Sequence, residues 1–234
     1  MAIDDKFELL STGELKVTGR LVDASNATLY ATVTHGEQSM TCIYKPIAGE
    51  RPLWDFPDGA LAYREYAAYL LSNVLGFDLV PLTILRDGPY GSGMVQEWID
   101  IDESIDLGSY FSSDSPKLRS MALFDAIINN TDRKIGHLLP TPTGELFGCD
   151  HGVTFHSENK LRTVLWQWAG DPLTHSEIDI LQKAKESINK EIDLSPYLTA
   201  SELSALSLRI DSLISIGAMP TPNPDWPAVP WPTF

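Results

Sequence analysis

The stretch that most constrains this chain runs from Asn129 to His137 and is answered by a second one, Cys149-Asp150-His151-Gly152. An apolar run, Met121 to Ile128, reads as a helix and closes on the polar loop that carries Asp132. Leu138-Leu139, Thr143-Gly144 and Leu146-Phe147 then read as a short β-hairpin that delivers Asp150 just before a glycine. Phosphoryl transfer from ATP needs that order of parts. One carboxylate, here Asp132, orients the attacking hydroxyl. A metal-capable side chain follows five positions on, here His137, and an aspartate on the next turn binds the metal that bridges the phosphates. A surface loop with solvated charges can carry the same letters, so the surroundings decide.

The first third of the chain reads as strands. Glu14 to Val22 alternates, Ser25-Asn26-Ala27 turns, Thr28 to Val33 alternates again, and Met40 to Tyr44 follows the turn His35-Gly36-Glu37 and ends at Lys45-Pro46. Three strands in sequence predict a small antiparallel sheet. Ile47 to Asp58 is a Pro- and Gly-rich loop. A helix follows over Leu61 to Leu75, stopped by Gly76. On it Leu61, Glu65, Ala68, Leu71 and Leu75 share a stripe. A glutamate in an apolar stripe is costly to bury unless paired. Lys45 is its natural partner; the alternative is a Glu65 at the stripe's edge and a solvated Lys45.

Leu79 to Leu85 and Gly93 to Ile99 read as two further strands around the turn Asp87 to Gly91. The acidic stretch Asp100 to Asp106 is a lobe boundary. Helices are expected over Pro116 to Ile128, Ser176 to Glu191 and Ser201 to Ile216. The tail, Pro220 to Phe234, holds five further prolines with Trp226 and Trp231, which suits an extended segment whose tryptophans dock on the body.

With 234 residues, 43% of them hydrophobic, the chain has length for one domain or two small lobes and a sizeable core. A net charge of −15 disfavours nucleic acid and anionic membrane surfaces, which select clustered Lys and Arg. Cys42 and Cys149 sit in apolar, strand-like settings as free thiols, with no zinc or redox motif. No apolar run reaches transmembrane length and Met1 to Lys6 has no signal-peptide character, so a cytoplasmic protein without stable membrane insertion is expected.

Lys45 in Ile43-Tyr44-Lys45-Pro46, Glu65 in Arg64-Glu65-Tyr66-Ala67-Ala68-Tyr69-Leu70, Val80-Pro81-Leu82-Thr83, Asn130-Thr131-Asp132-Arg133 and Asp150-x-Gly152 together resemble the phosphatidylinositol 3-/4-kinase superfamily. The type II 4-kinase branch and the bacterial phosphatidylinositol-kinase-like proteins are nearest, over about residues 14–175. The resemblance implies that Lys45 contacts the ATP phosphates and Glu65 holds Lys45. It makes Asp132 the catalytic aspartate and Asp150 the principal Mg²⁺ ligand. Gln96, Glu97 and Trp98 become a hinge whose backbone reads adenine, and Ser25, Asn26 and Thr28 replace a phosphate-covering loop. The chain departs from the pattern at His137, where the family has an Asn metal ligand, at His151, where protein kinases often carry Phe, and in lacking a Gly-x-Gly loop.

The expected fold is α+β and two-lobed, protein-kinase-like, with a sheet-rich N-lobe and hinge over residues 1–99, a compact helical C-lobe over 100–219 and the tail over 220–234. The expected function is transfer of the γ-phosphoryl group of ATP to a hydroxyl of a protein or small molecule, with a lipid ranked lower because the chain is acidic. The alternatives are a weak or inactive nucleotide-binding protein acting through partners, and transfer of AMP from the same cleft. Lys160 and Arg162 could meet an acidic substrate, with Trp166 and Trp168 as core residues. Glu50 to Pro57 reads either as a lid near the nucleotide, with Arg51 near phosphate, or as a Pro-rich loop whose Trp54 and Phe56 pack under the helix.

Overall fold

The structure, a computed structural model, describes residues 1–21, 26–56, 61–188 and 190–234. An opening helix α1 (Ile3–Thr12) precedes strands β1 (Glu14–Arg20), β2 (Leu29–His35) and β3 (Gln38–Pro46). Helix α2 (Leu61–Leu75) is followed by the hairpin β4 (Thr83–Gly88) and β5 (Gly91–Glu97). Then come α3 (Leu107–Tyr110), α4 (Pro116–Ile128), the short hairpin β6 (Leu138–Pro140) and β7 (Leu146–Gly148), α5 (His175–Ser187) and α6 (Ala200–Ile216). The architecture is α+β.

β1 to β5 form one sheet in the order β1-β2-β3-β5-β4, antiparallel at every pair. Alternation gives the sheet two faces. Leu29, Ala31 and Val33 of β2 with Cys42 and Tyr44 of β3 turn to one face and pack against Leu9 and Leu10 of α1. The other face carries Ile43 and Lys45. Sequence reading missed α1; its Asp4 and Asp5 in the first turn were the available signal. Helix α2 ends where Gly76 adopts φ +74°, a conformation that favours glycine. Its Ala67, Ala68, Leu71 and Leu75 pack into a second cluster with Leu118, Met121 and Phe124 of α4, Leu181 of α5 and Leu206 and Ile210 of α6.

Three expectations are corrected in detail. Leu79 to Leu82 are not strand: β4 begins at Thr83, past Pro81, which has no N–H for a ladder. Helix α5 stops at Ser187 and not at Glu191, because the chain turns extended at Ile188 and buries it. The tail docks as expected through Trp226, but its ring-bearing partner Trp231 is 89% exposed, and a turn at residues 224–226 interrupts any extended run. Among the described residues no helix is long and apolar enough to cross a membrane.

Candidate active site

Lys45 stands at the end of β3 on the face away from α1. It reaches that position because Gly93 of β5 lets the two strands close up: a Cβ there would collide with the Lys45 carbonyl oxygen. Its Nζ donates to Glu65 Oε1 at 2.6 Å and to Asp150 Oδ1 at 2.8 Å. The Glu65 side chain is 1% exposed, and its second oxygen accepts the His151 N–H at 2.9 Å. One glutamate thus ties α2 to the strand lysine and to the backbone just after Asp150. Burial alone would lower Lys45, but Asp150 and then Glu65 outweigh it and hold the ammonium above its ordinary range. Lys45 is also the main cause that holds Asp150 well below the usual carboxylate range, while burial pushes Glu65 upward against Lys45.

Asp132 is set by the way α4 ends. Asn129 turns left-handed at φ +52° and, fully buried, gives its amide to the carbonyls of His156 and Glu158. Asn130 donates to Asp125 at 2.9 Å and accepts the Asp132 N–H at 3.0 Å, which fixes the loop's turn. Arg133 lies under the loop with no exposed surface. It pairs with both oxygens of Asp125, donates to the Cys149 carbonyl at 3.0 Å and meets His151 Nε2 at 2.7 Å. The neutral His151 ring, kept well below 6.5 by burial, is a core residue and not a ligand. This arginine joins the Asp132 loop to the Asp150 turn.

The β6–β7 hairpin delivers Asp150 at φ +61°, with its side chain 51% exposed. His137 faces it: Nε2 lies 3.6 Å from Asp150 Oδ2. Its Nδ1 accepts the Lys134 N–H at 3.4 Å, which puts the ring proton on Nε2, toward Asp150. Burial first of all holds this ring down to about 4, so it is neutral at pH 7. Asp132 is raised by burial, with Asp150 adding to the rise, while Lys134 at 3.5 Å and Arg162 at 3.7 Å act against it.

Lys45, Glu65, Asp132 and Asp150 all line one cavity of about 550 Å³. Asn26 lines it too and anchors the loop after β3 by accepting the Arg51 N–H at 2.9 Å. That loop is a wall of the cavity. Its Glu50 caps α2 by accepting the Leu61 and Ala62 N–H groups at 2.7 and 2.8 Å. Phe56 is buried as the packed-loop reading expects, but Trp54 is 83% exposed.

Other sequence-selected residues fall elsewhere. Ser25 lies outside the described residues. Thr28 is buried and does not line the cavity. Neither do Gln96, Glu97 and Trp98. The Gln96 amide is bound to Thr83, and the Glu97 and Trp98 N–H groups are taken by the carbonyls of Leu82 and Thr41. Glu97 turns to α1, where it pairs with Lys6, and the Trp98 ring packs edge-on to Tyr30. Antiparallel pairing uses the backbone groups that the hinge reading assigned to adenine. Lys160 is buried and paired with Asp55 at 3.2 Å, so its charge is not free. Sequence reasoning placed Asn129, Asn130 and Arg133 in the motif without a role for their side chains, and gave Glu50 none. The adjacent asparagines after a helical run were a left-handed-turn signal; nothing in the sequence marks Arg133 as buried.

No family model matches the chain. A crystal structure of the Helicobacter pylori proinflammatory kinase CtkA is similar with a TM-score of 0.50 at 12% identity, covering 90% of this chain and 94% of that one. At that identity the likeness shows the fold, which is kinase-like. Protein Rv2133c of Mycobacterium tuberculosis is 42% identical over 268 residues, covering 99% of this chain and 96% of Rv2133c. The chain therefore belongs to the same family as Rv2133c.

Proposed function

We propose that the protein is an ATP- and Mg²⁺-dependent phosphotransferase that moves the γ-phosphoryl group to a hydroxyl of a small molecule or protein. The observation that carries this reading is Lys45, held between Glu65 at 2.6 Å and Asp150 at 2.8 Å on the wall of a cavity that Asp132 also lines. A lysine kept charged in this way can turn from Asp150 to a phosphate oxygen without leaving Glu65. Asp132, raised by burial, is a better proton acceptor than a solvated carboxylate and faces the space where an acceptor hydroxyl would sit.

The residues fit Mg²⁺. This ion takes one or two carboxylates and completes its shell with phosphate oxygens and water. Asp150 presents a half-exposed carboxylate to the cavity. Among the described residues no three metal-capable side chains converge, so the site needs the phosphates. When bound, the ion would neutralise charge on those phosphates. Asp150 would hold it, and His137, with its proton toward Asp150, would orient that carboxylate. The lipid acceptor suggested by phosphatidylinositol kinases ranks below the others, since a chain of net charge −15 is repelled from anionic surfaces.

His137, standing where the related kinases have Asn, favours one second reading: a nucleotide-binding protein with weak turnover. Mass spectrometry of the products formed with Mg²⁺-ATP separates the possibilities. ADP with a phosphorylated acceptor supports phosphotransfer. AMP joined to the protein supports nucleotidyl transfer, and unchanged ATP supports the weak binder.

A further inference from the structure

The tail runs along the segments 133–137 and 159–166 beside Asp132, and its Trp226 lines the cavity. The Asn223 amide donates to the Asn159 carbonyl at 3.1 Å. The Trp226 ring lies 5.0 Å from Lys160 Nζ and 5.9 Å from the Arg162 guanidinium, and it lines the cavity with Arg162. The Ala228 carbonyl accepts both the Thr163 N–H at 3.1 Å and the Trp166 Nε1–H at 2.8 Å. The Thr233 carbonyl accepts the Ile135 N–H at 2.9 Å, and the Phe234 ring lies beside Gly136.

These contacts consume one particular backbone strip. Arg133, next to Asp132, pairs with the 162–164 segment: its N–H donates to the Arg162 carbonyl at 3.1 Å and its carbonyl accepts the Val164 N–H at 3.2 Å. The segment's Thr163 N–H goes to the tail. One recurring way for an extended polypeptide to dock is to add main-chain hydrogen bonds to a free edge, here the edge beside Asp132. Here that edge is occupied on one side by the Asp132 loop and on the other by residues of the same chain.

We infer, resting on the phosphotransferase reading, that the acceptor is a compact hydroxyl-bearing molecule and not a segment of polypeptide, because the tail occupies the strip on which a polypeptide would lie. The acceptor enters between Trp54 and Trp226 and meets Arg162 beside Asp132.

The test compares the full chain with a chain ending at Met219. Each is incubated with Mg²⁺ and γ-labelled ATP, with dephosphorylated casein as the polypeptide probe and a filtrate of cell extract below 3 kDa (about that cut-off) as the source of compact acceptors. The full chain is expected to label a low-mass product. The shortened chain is expected to label casein at least about tenfold faster than the full chain, as removal of an occluding segment worth one order of magnitude requires. Casein labelled equally by both forms, or by neither while both are stabilised by Mg²⁺-ATP, overturns this inference alone. No stabilisation of either form overturns the nucleotide reading and this one with it. Should the shortened chain not fold, hydrogen exchange on the full chain decides: the Thr163 and Ile135 amides are expected to be protected, and exchange at the rate of free amides overturns the inference.

Discussion

Lys45 keeps its charge at 17% side-chain exposure because two carboxylates meet it. Removing it leaves Glu65 buried without a cation and close to Asp150. Lys45→Met is therefore expected to destabilise the fold by about 3 kcal/mol, the range for breaking a buried pair from one side. Urea unfolding checks this, and Lys45→Met with Glu65→Gln should recover part of the loss. His137 supplies a pH test. It is held down to about 4 against an ordinary 6.5, so unfolding takes up a proton below pH 6.5. Its contribution is whole above that pH and drains as pH falls toward 4. Between pH 7 and 5 the wild type should lose about 1–2 kcal/mol more than His137→Asn, by the linkage relation; equal losses would contradict the burial argument. In turnover, His137→Asn should retain Mg²⁺-dependent activity and His137→Ala should lose it. Lys45 and Glu65 were legible because a glutamate within an apolar stripe asks for a partner. The burial of Arg133 was not, since a charged residue in sequence reads as solvated until the fold shows otherwise.

At the scale of elements, helix ends carry the sharpest expectations. Thr199 caps α6 by accepting the Glu202 N–H, and the Glu202 side chain returns to the Thr199 N–H at 2.9 Å. Glu202 also pairs with the buried Arg64 of α2. Thr199→Ala should cost about 1 kcal/mol, whereas Ser115→Ala at α4, whose side chain makes no capping bond, should cost a few tenths. Thermal melts of the two variants compare them directly. The helices α2 and α4 were legible to both ends, since stripe and stop signal agree at Gly76 and at the polar run after Ile128. Helix α1 was not, because Ile3, Phe7, Leu9 and Leu10 form no long apolar stripe and only Leu9 and Leu10 are buried. The end of α5 was also hidden. The burial of Ile188, which turns the chain there, is a tertiary event.

In the molecule as a whole there are two hydrophobic clusters: one between α1 and the sheet, one among α2, α4, α5 and α6. Lys45 comes from the sheet, while Asp132 and Asp150 come from segments beside the helical cluster. Gln96, Glu97 and Trp98 lie outside the cavity lining, and the pairing of β5 with its neighbours is not visible in their letters. The proposed phosphotransfer rests on this cavity binding Mg²⁺-ATP through Lys45 and Asp150. The most direct measurement is the melting temperature with and without saturating Mg²⁺-ATP, in the wild type and in Asp150→Asn. A ligand at about 100 times its Kd adds about 2.7 kcal/mol, which for a chain of this size raises Tm by about 5–10 °C. That rise is expected in the wild type, with loss of its Mg²⁺-dependent part in Asp150→Asn. A wild-type melting curve unchanged by Mg²⁺-ATP would contradict it.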